Sequence, residues 1–172
     1  GSRGLGDVYK RQASTSAGTG CQNIAIGMRA AFGLTSGCDN IVMGTYAGND
    51  MTEAKYNVVL GRLAGCRMTT TIKNVVIGLC AGTCLTNTGC HVFLGAGAGQ
   101  YTTTAQYSVY IGEKAGQNSN ACNSVILGCY AGACSGGDRN VVIGKQAGCK
   151  VTDSDNVILG TQAGMCMTST YR

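Results

Sequence analysis

Asn74-Val75-Val76-Ile77-Gly78-Leu79-Cys80-Ala81-Gly82 is one of nine variants of a single phrase that runs down the 172-residue chain. An apolar triplet is followed by a glycine, two variable residues and Ala-Gly. The glycines that close the triplets are Gly27, Gly44, Gly61, Gly78, Gly95, Gly112, Gly128, Gly144 and Gly160, spaced by 17 residues five times and then by 16 three times. So regular a period marks a stacked array in which each repeat supplies one turn of a coil.

Alignment on the glycine turns the sequence into columns. Three residues before it stand Ile24, Ile41, Val58, Val75, Val92, Val109, Val125, Val141 and Val157. One residue before it stand Ile26, Met43, Leu60, Ile77, Leu94, Ile111, Leu127, Ile143 and Leu159. Side chains on a strand alternate between faces, so these two columns share one face, and their many β-branched members favour strand over helix. They are expected to fill the inside of the coil. The column between them is then expected to point outward: Ala25, Val42, Val59, Val76, Phe93, Tyr110, Ile126, Val142 and Ile158. Strands apolar on both faces are buried on both, so Val42, Val59, Val76, Phe93, Tyr110, Ile126, Val142 and Ile158 are predicted to pack against other copies of the chain. The fold expected is all-β: a single-stranded parallel β-solenoid of nine repeats, assembled with itself.

Three residues after the glycine every repeat carries Ala, from Ala30 to Ala163, and the next position is Gly except at Ala31. Small residues there predict a tight corner. Seven residues after the glycine come Leu34, Met51, Met68, Leu85, Val151 and Met167, read as a second, shorter strand on the same core. Four residues before the glycine stand Asn23, Asn40, Asn57, Asn74, Asn140 and Asn156, replaced elsewhere by His91, Ser108 and Ser124. Asn tolerates left-handed backbone, bonds nearby backbone and can stack in ladders.

The phrase N-x-V-x-[IL]-G-x-x-A-G, as at Asn74–Gly82 and Asn140–Gly148, resembles the head repeats of trimeric autotransporter adhesins. It resembles still more the longer repeats of phage tail-fibre proteins, whose Thr-rich return is matched by Leu85-Thr86-Asn87-Thr88-Gly89. The resemblance covers about residues 21–170. It implies a left-handed β-roll, a homotrimer, and an attachment role at a cell surface or on a virion, with a receptor or glycan as partner. The adhesin repeat is shorter and both families are poor in Cys; here the return loop is longer and Cys is frequent.

Composition bounds the rest. The chain has 28 Gly, no Pro and no Trp, 12% charged residues and a net charge of +5. No apolar run approaches a membrane span, and no basic stripe with interleaved aromatics points to nucleic acid. Residues 1–12 do not fit the repeat and read as an adapter-derived prefix, residues 13–20 as a linker, and residues 21–172 as the array, expected to be a fragment of a longer one.

Eleven Cys fall mainly in the return loops. Cys21 and Cys38 share a column in adjacent turns; Cys66 with Cys84, and Cys149 with Cys166, are near-register neighbours. Stacked strands bring such pairs within disulfide range, and small apolar filling of the turns is the alternative. The single His91 and the absence of a C-x-x-C pair argue against zinc. The acidic residues form no column, which leaves no calcium roll or carboxylate pair. The glycine-rich Gly95–Gly99 is the ordinary phrase with extra glycine, not a nucleotide loop. No cofactor, metal or catalytic residue is predicted, and an enzyme is not expected. An alternative function is ice binding through a Thr face formed by Thr35, Thr52, Thr69, Thr86, Thr103, Thr152 and Thr168, with Thr-x-Thr pairs such as Thr69-x-Thr71.

Overall fold

The computed structural model describes residues 20, 22–86 and 89–167. The predicted prefix and most of the linker therefore lie outside the described residues, as do Cys21 and Thr168. Nine three-residue strands follow one another: β1 Ile24–Ile26, β2 Ile41–Met43, β3 Val58–Leu60, β4 Val75–Ile77, β5 Val92–Leu94, β6 Val109–Ile111, β7 Val125–Leu127, β8 Val141–Ile143 and β9 Val157–Leu159. They form one parallel sheet in sequence order, with each triplet paired residue for residue to the next, as in Val75↔Val92, Val76↔Phe93 and Ile77↔Leu94. The chain is a β-solenoid, as its period predicts.

Each strand ends at its glycine because the backbone turns where a side chain cannot follow. At Gly61, φ is 132°, and a Cβ built there would stand 2.5 Å from the carbonyl oxygen of Gly78 in the next turn. L-residues are excluded by both terms. Two tight turns then reverse the chain: the Ala47 amide donates to the Gly44 carbonyl (3.2 Å), and the Met51 amide to the Gly48 carbonyl (3.1 Å). The return is not a second strand. Its backbone bonds from turn to turn, Thr35 to Thr52 and Thr52 to Thr69, both at 3.0 Å, but only isolated bridges such as Lys55↔Ile72 are formed.

The inward and outward columns are also corrected. The middle residue of each triplet points into the coil, not away from it: Val42, Val59, Val76, Phe93, Tyr110, Ile126, Val142 and Ile158 are all buried within a single chain. The residue before and the residue after it are half-buried or exposed in every strand. The core consists of the middle column, the corner alanines and the inward residues seven after the glycine, among them Met51, Met68 and Leu85. The expected self-association column is thus the core, and the expected core columns form the outer face. Period-two alternation fixes which residues share a face; it does not say which face turns inward when both are apolar.

The Asn column has the same parity as the middle residue and is buried with it at Asn40, Asn57, Asn74 and Asn140. Asn57 shows why. Its amide nitrogen donates to Asn40 Oδ1 (2.9 Å), to the Lys55 carbonyl (3.0 Å) and to the Thr71 carbonyl (2.9 Å). Its own Oδ1 accepts from the backbone and side-chain nitrogens of Asn74, both at 3.0 Å. This is a ladder along the stack, as the column predicts. The left-handed residue is the one before it, for instance Asp39 (φ 59°), Tyr56 (φ 59°) and Lys73 (φ 60°).

Candidate functional site

The outer face of the sheet is built by the two columns that flank the buried one. Eighteen aliphatic residues, two from each of nine strands, line it. None is polar and none is fully covered by its own chain. At the ends Ile24 is 51% exposed and Val157 71%. With strands about 4.8 Å apart and a strip about 10 Å wide, the face amounts to roughly 400 Å², as large as the largest apolar patch of a typical monomer. Sequence reasoning recognised these residues and assigned them to the wrong side.

Behind this face lies an aromatic stack. Phe93 and Tyr110 are parallel within 6° at 4.8 Å between ring centroids, and the His91 ring is 4.9 Å from Phe93. The Tyr110 hydroxyl donates to the Ala121 carbonyl (3.0 Å) and lies 3.1 Å from Ser119 Oγ; burial pushes its pKa up to about 12. Gly99, the ordinary glycine of the Ala-Gly pair, borders this stack, since a Cβ there would collide with the Phe93 ring, whereas the extra glycine, Gly97, faces the Lys114 side chain of the next turn.

His91 Nε2 is 2.9 Å from the Ala105 carbonyl and so carries the ring proton. Its Nδ1 is buried without a hydrogen-bond partner. Burial lowers the His91 pKa from 6.5, with the backbone of Ala105 and Ser108 opposing. The unfolded chain therefore binds a proton at a pH where the folded chain does not. Stability from this group is complete above pH 6.5 and is lost as pH falls from 6.5 through the lowered folded value. Melting temperatures measured from neutral pH to about pH 5 should fall, and the slope should flatten in His91→Asn, which restores the residue usual in the column.

The expected Thr face is not free. Thr35 Oγ1 donates to the Thr52 carbonyl (3.1 Å), Thr52 Oγ1 to that of Thr69 (3.4 Å) and Thr69 Oγ1 to that of Thr86 (3.3 Å). Thr103 bonds Asn120 Oδ1 through its hydroxyl (3.3 Å) and its amide (2.8 Å). Thr152 is exposed and donates its amide to the Met167 carbonyl at 3.4 Å. In the Thr69-x-Thr71 pair the second residue is buried rather than beside the first. The Thr35, Thr52 and Thr69 hydroxyls thus extend the backbone ladder, and that of Thr103 bonds the Asn120 side chain.

The cysteines divide. Cys38 is disulfide-bonded, while its expected partner Cys21 lies outside the described residues. Cys66, Cys84, Cys149 and Cys166 are free thiols, so neither of the other expected bridges is formed. Cys66 and Cys149 stand five residues after their glycine, Cys84 and Cys166 six after theirs. Each expected pair is thus offset by one residue against the sense of the bonds between turns, which join the residue six after one glycine to the residue five after the next, as Arg67 to Thr83.

Among the described residues no group of three or more His, Cys, Asp or Glu could hold a metal ion, and no helix is long and apolar enough to cross a membrane. A shallow cleft of about 290 Å³ lies at the return loops, lined by Thr70, Ile72, Lys73, Cys90, Gln106 and Tyr107. It forms where Gly89 supplies no side chain between Ile72 and Gln106. Arg139 and Asp155 make a two-pronged ion pair on the exposed surface (2.6 and 2.8 Å), which raises the Arg139 pKa and lowers that of Asp155. No protein-family model, no curated protein and no solved structure matches this chain.

Proposed function

We propose that this chain is a segment of a homotrimeric attachment fibre, placed outside the cell, at a cell surface or on a virion. The observation that carries this reading is the uninterrupted aliphatic outer face. A rod with a polar outer face would need no partner; this one leaves nine strands' worth of Val, Ile, Leu and Met facing water. A copy of the same chain has the matching length, rise and chemistry to cover it. Closed rotation about an axis parallel to the stack lets each stripe meet two others and leaves no stripe over, as symmetric assembly requires. The resemblance of the repeat to adhesin heads and tail fibres points to the same number of copies.

Contacts to a receptor or glycan then fall to the rest of each turn. There the variable corner pairs and return loops offer Arg29 beside the Phe32 and Tyr46 rings, Lys114 bonded to the Tyr130 hydroxyl, and the cleft around Tyr107. Weak contacts repeated along the rod and among copies add by multivalency. The Thr35, Thr52 and Thr69 hydroxyls donate along the stack, so the proposed contacts are assigned to the loops rather than to the Thr column.

Light scattering coupled to gel filtration tests the reading. The expected mass is three times the 17.5 kDa of one chain. A stable monomer at micromolar concentration would overturn the proposal.

A further inference from the structure

Two free thiols stand on consecutive turns at the corner of the coil, and the backbone there joins their residues. In each of the first eight turns the residue six after the glycine bonds through its amide to the carbonyl of the residue five after the glycine in the next turn. Asp50 bonds Cys66 (2.9 Å), Cys84 bonds Gln100 (3.0 Å), and Cys134 bonds Cys149 (2.9 Å). Of the cysteines at this corner, only Cys134 and Cys149 occupy both ends of the same bond. Stacked turns about 4.8 Å apart and an offset of one residue, about 3.3 Å, place their Cα atoms about 5.8 Å apart. That is inside the range a disulfide spans without backbone movement.

We propose that Cys134 and Cys149 form a dithiol site that closes to an intramolecular disulfide in the presence of a small-molecule disulfide, stapling turn seven to turn eight. The two residues differ in a way that orders the steps. Cys134 is exposed and Cys149 half-buried. Burial raises the Cys149 pKa, the neighbouring Cys134 adds to the rise, and Cys166 adds after it. Cys134 is therefore the accessible first nucleophile, and Cys149 the resolving thiol held beside it. The Cys134 thiolate attacks one sulfur of the oxidant and expels the other half as a thiolate, leaving a mixed disulfide on Cys134. Cys149 then loses its proton to solvent and attacks the Cys134 sulfur, expelling the second half. Two protein thiols are oxidised to one disulfide, and one disulfide is reduced to two thiols.

The reduced full chain, incubated with oxidised glutathione, alkylated and mapped by peptide mass spectrometry, provides the test. The first intramolecular bridge among the nine described free thiols is expected to join Cys134 to Cys149. It should persist in Cys166→Ser, and in Cys149→Ser the reaction should stop at a glutathione adduct on Cys134. Full alkylation of both residues after oxidation, a dominant Cys149–Cys166 bridge, or a crosslink through Cys134 between two chains would each overturn it.

Discussion

Val76→Asp is expected to unfold the rod, while Val75→Asp, one residue away on the same strand, is expected to leave it folded and separate the copies. Val76 has no exposed surface. Its Cγ1 converges with Leu85 Cδ1 and the Phe93 ring on the small space beside Gly82. A carboxylate there has neither water nor a cation, so the folded state must either hold it protonated or bury a charge. Buried carboxyls shift up by about 3–5 pKa units, so the folded state holds the acid protonated; from the usual value of about 3.9 to pH 7 is about three units at 1.36 kcal/mol each, a cost of about 4 kcal/mol at neutral pH. The lost packing adds to this, and the sum rivals the whole stability of an ordinary domain. Val75 sits on the outer face, half-buried by its own chain. An Asp there reaches water in a monomer but meets the apolar stripes of its neighbours in a trimer. Circular dichroism melts and light scattering on the two variants separate the effects. Equal loss of fold in both would contradict the inward-outward assignment; an unchanged oligomer in Val75→Asp would contradict the proposed interface.

The period, the nine triplets and their parallel register were legible in the sequence, because a glycine that no other residue can replace marks each strand end. What apolarity alone could not tell was which face turned inward, since every position of a triplet such as Val75-Val76-Ile77 is apolar. Two other signals carried that information. The Asn ladder stands two residues from the middle column and so shares its face, and stacked amides outcompete water only where water is excluded. The middle column also trades volume with the residue seven after the glycine. Val42, Val59 and Val76 go with Met51, Met68 and Leu85, whereas Phe93 and Tyr110 go with Thr102 and Ser119. Compensation of this kind means that the two columns fill one space. The Cys66–Cys84 pairing failed for a related reason: a spacing of 18 in a region of period 17 suggests contact, but the one-residue offset runs against the bonds between turns, which join Arg67 to Thr83 instead.

The ladder itself supports the second large effect. Asn57→Asp keeps the size and shape of the side chain and changes only its nitrogen to oxygen. In place of an amide nitrogen whose two hydrogens serve three acceptors, the new oxygen faces the Asn40 Oδ1 and the Lys55 and Thr71 carbonyls across the same 2.9–3.0 Å. The bonds that Asn57 Oδ1 accepts from Asn74 survive, so the loss reports the donor side of the ladder alone. Unmet buried acceptors cost about 1–3 kcal/mol each, more beside a charge, and water still reaches none of them; a loss of about 4 kcal/mol or more at neutral pH is expected. Burial and the facing oxygens raise the carboxyl above its unfolded value of about 3.9. The stability of this variant should therefore recover as pH falls toward that value, because the protonated acid donates one bond back, and decline as pH rises through the folded value. Asn156→Asp makes the same exchange at the half-buried end of the ladder, where the side chain bonds the Asp153 and Ser154 carbonyls beside solvent. It should cost no more than about 1 kcal/mol. Denaturant melts of both variants across pH measure the difference, and equal losses at the two sites would mean that the amide column adds nothing beyond local turn bonding.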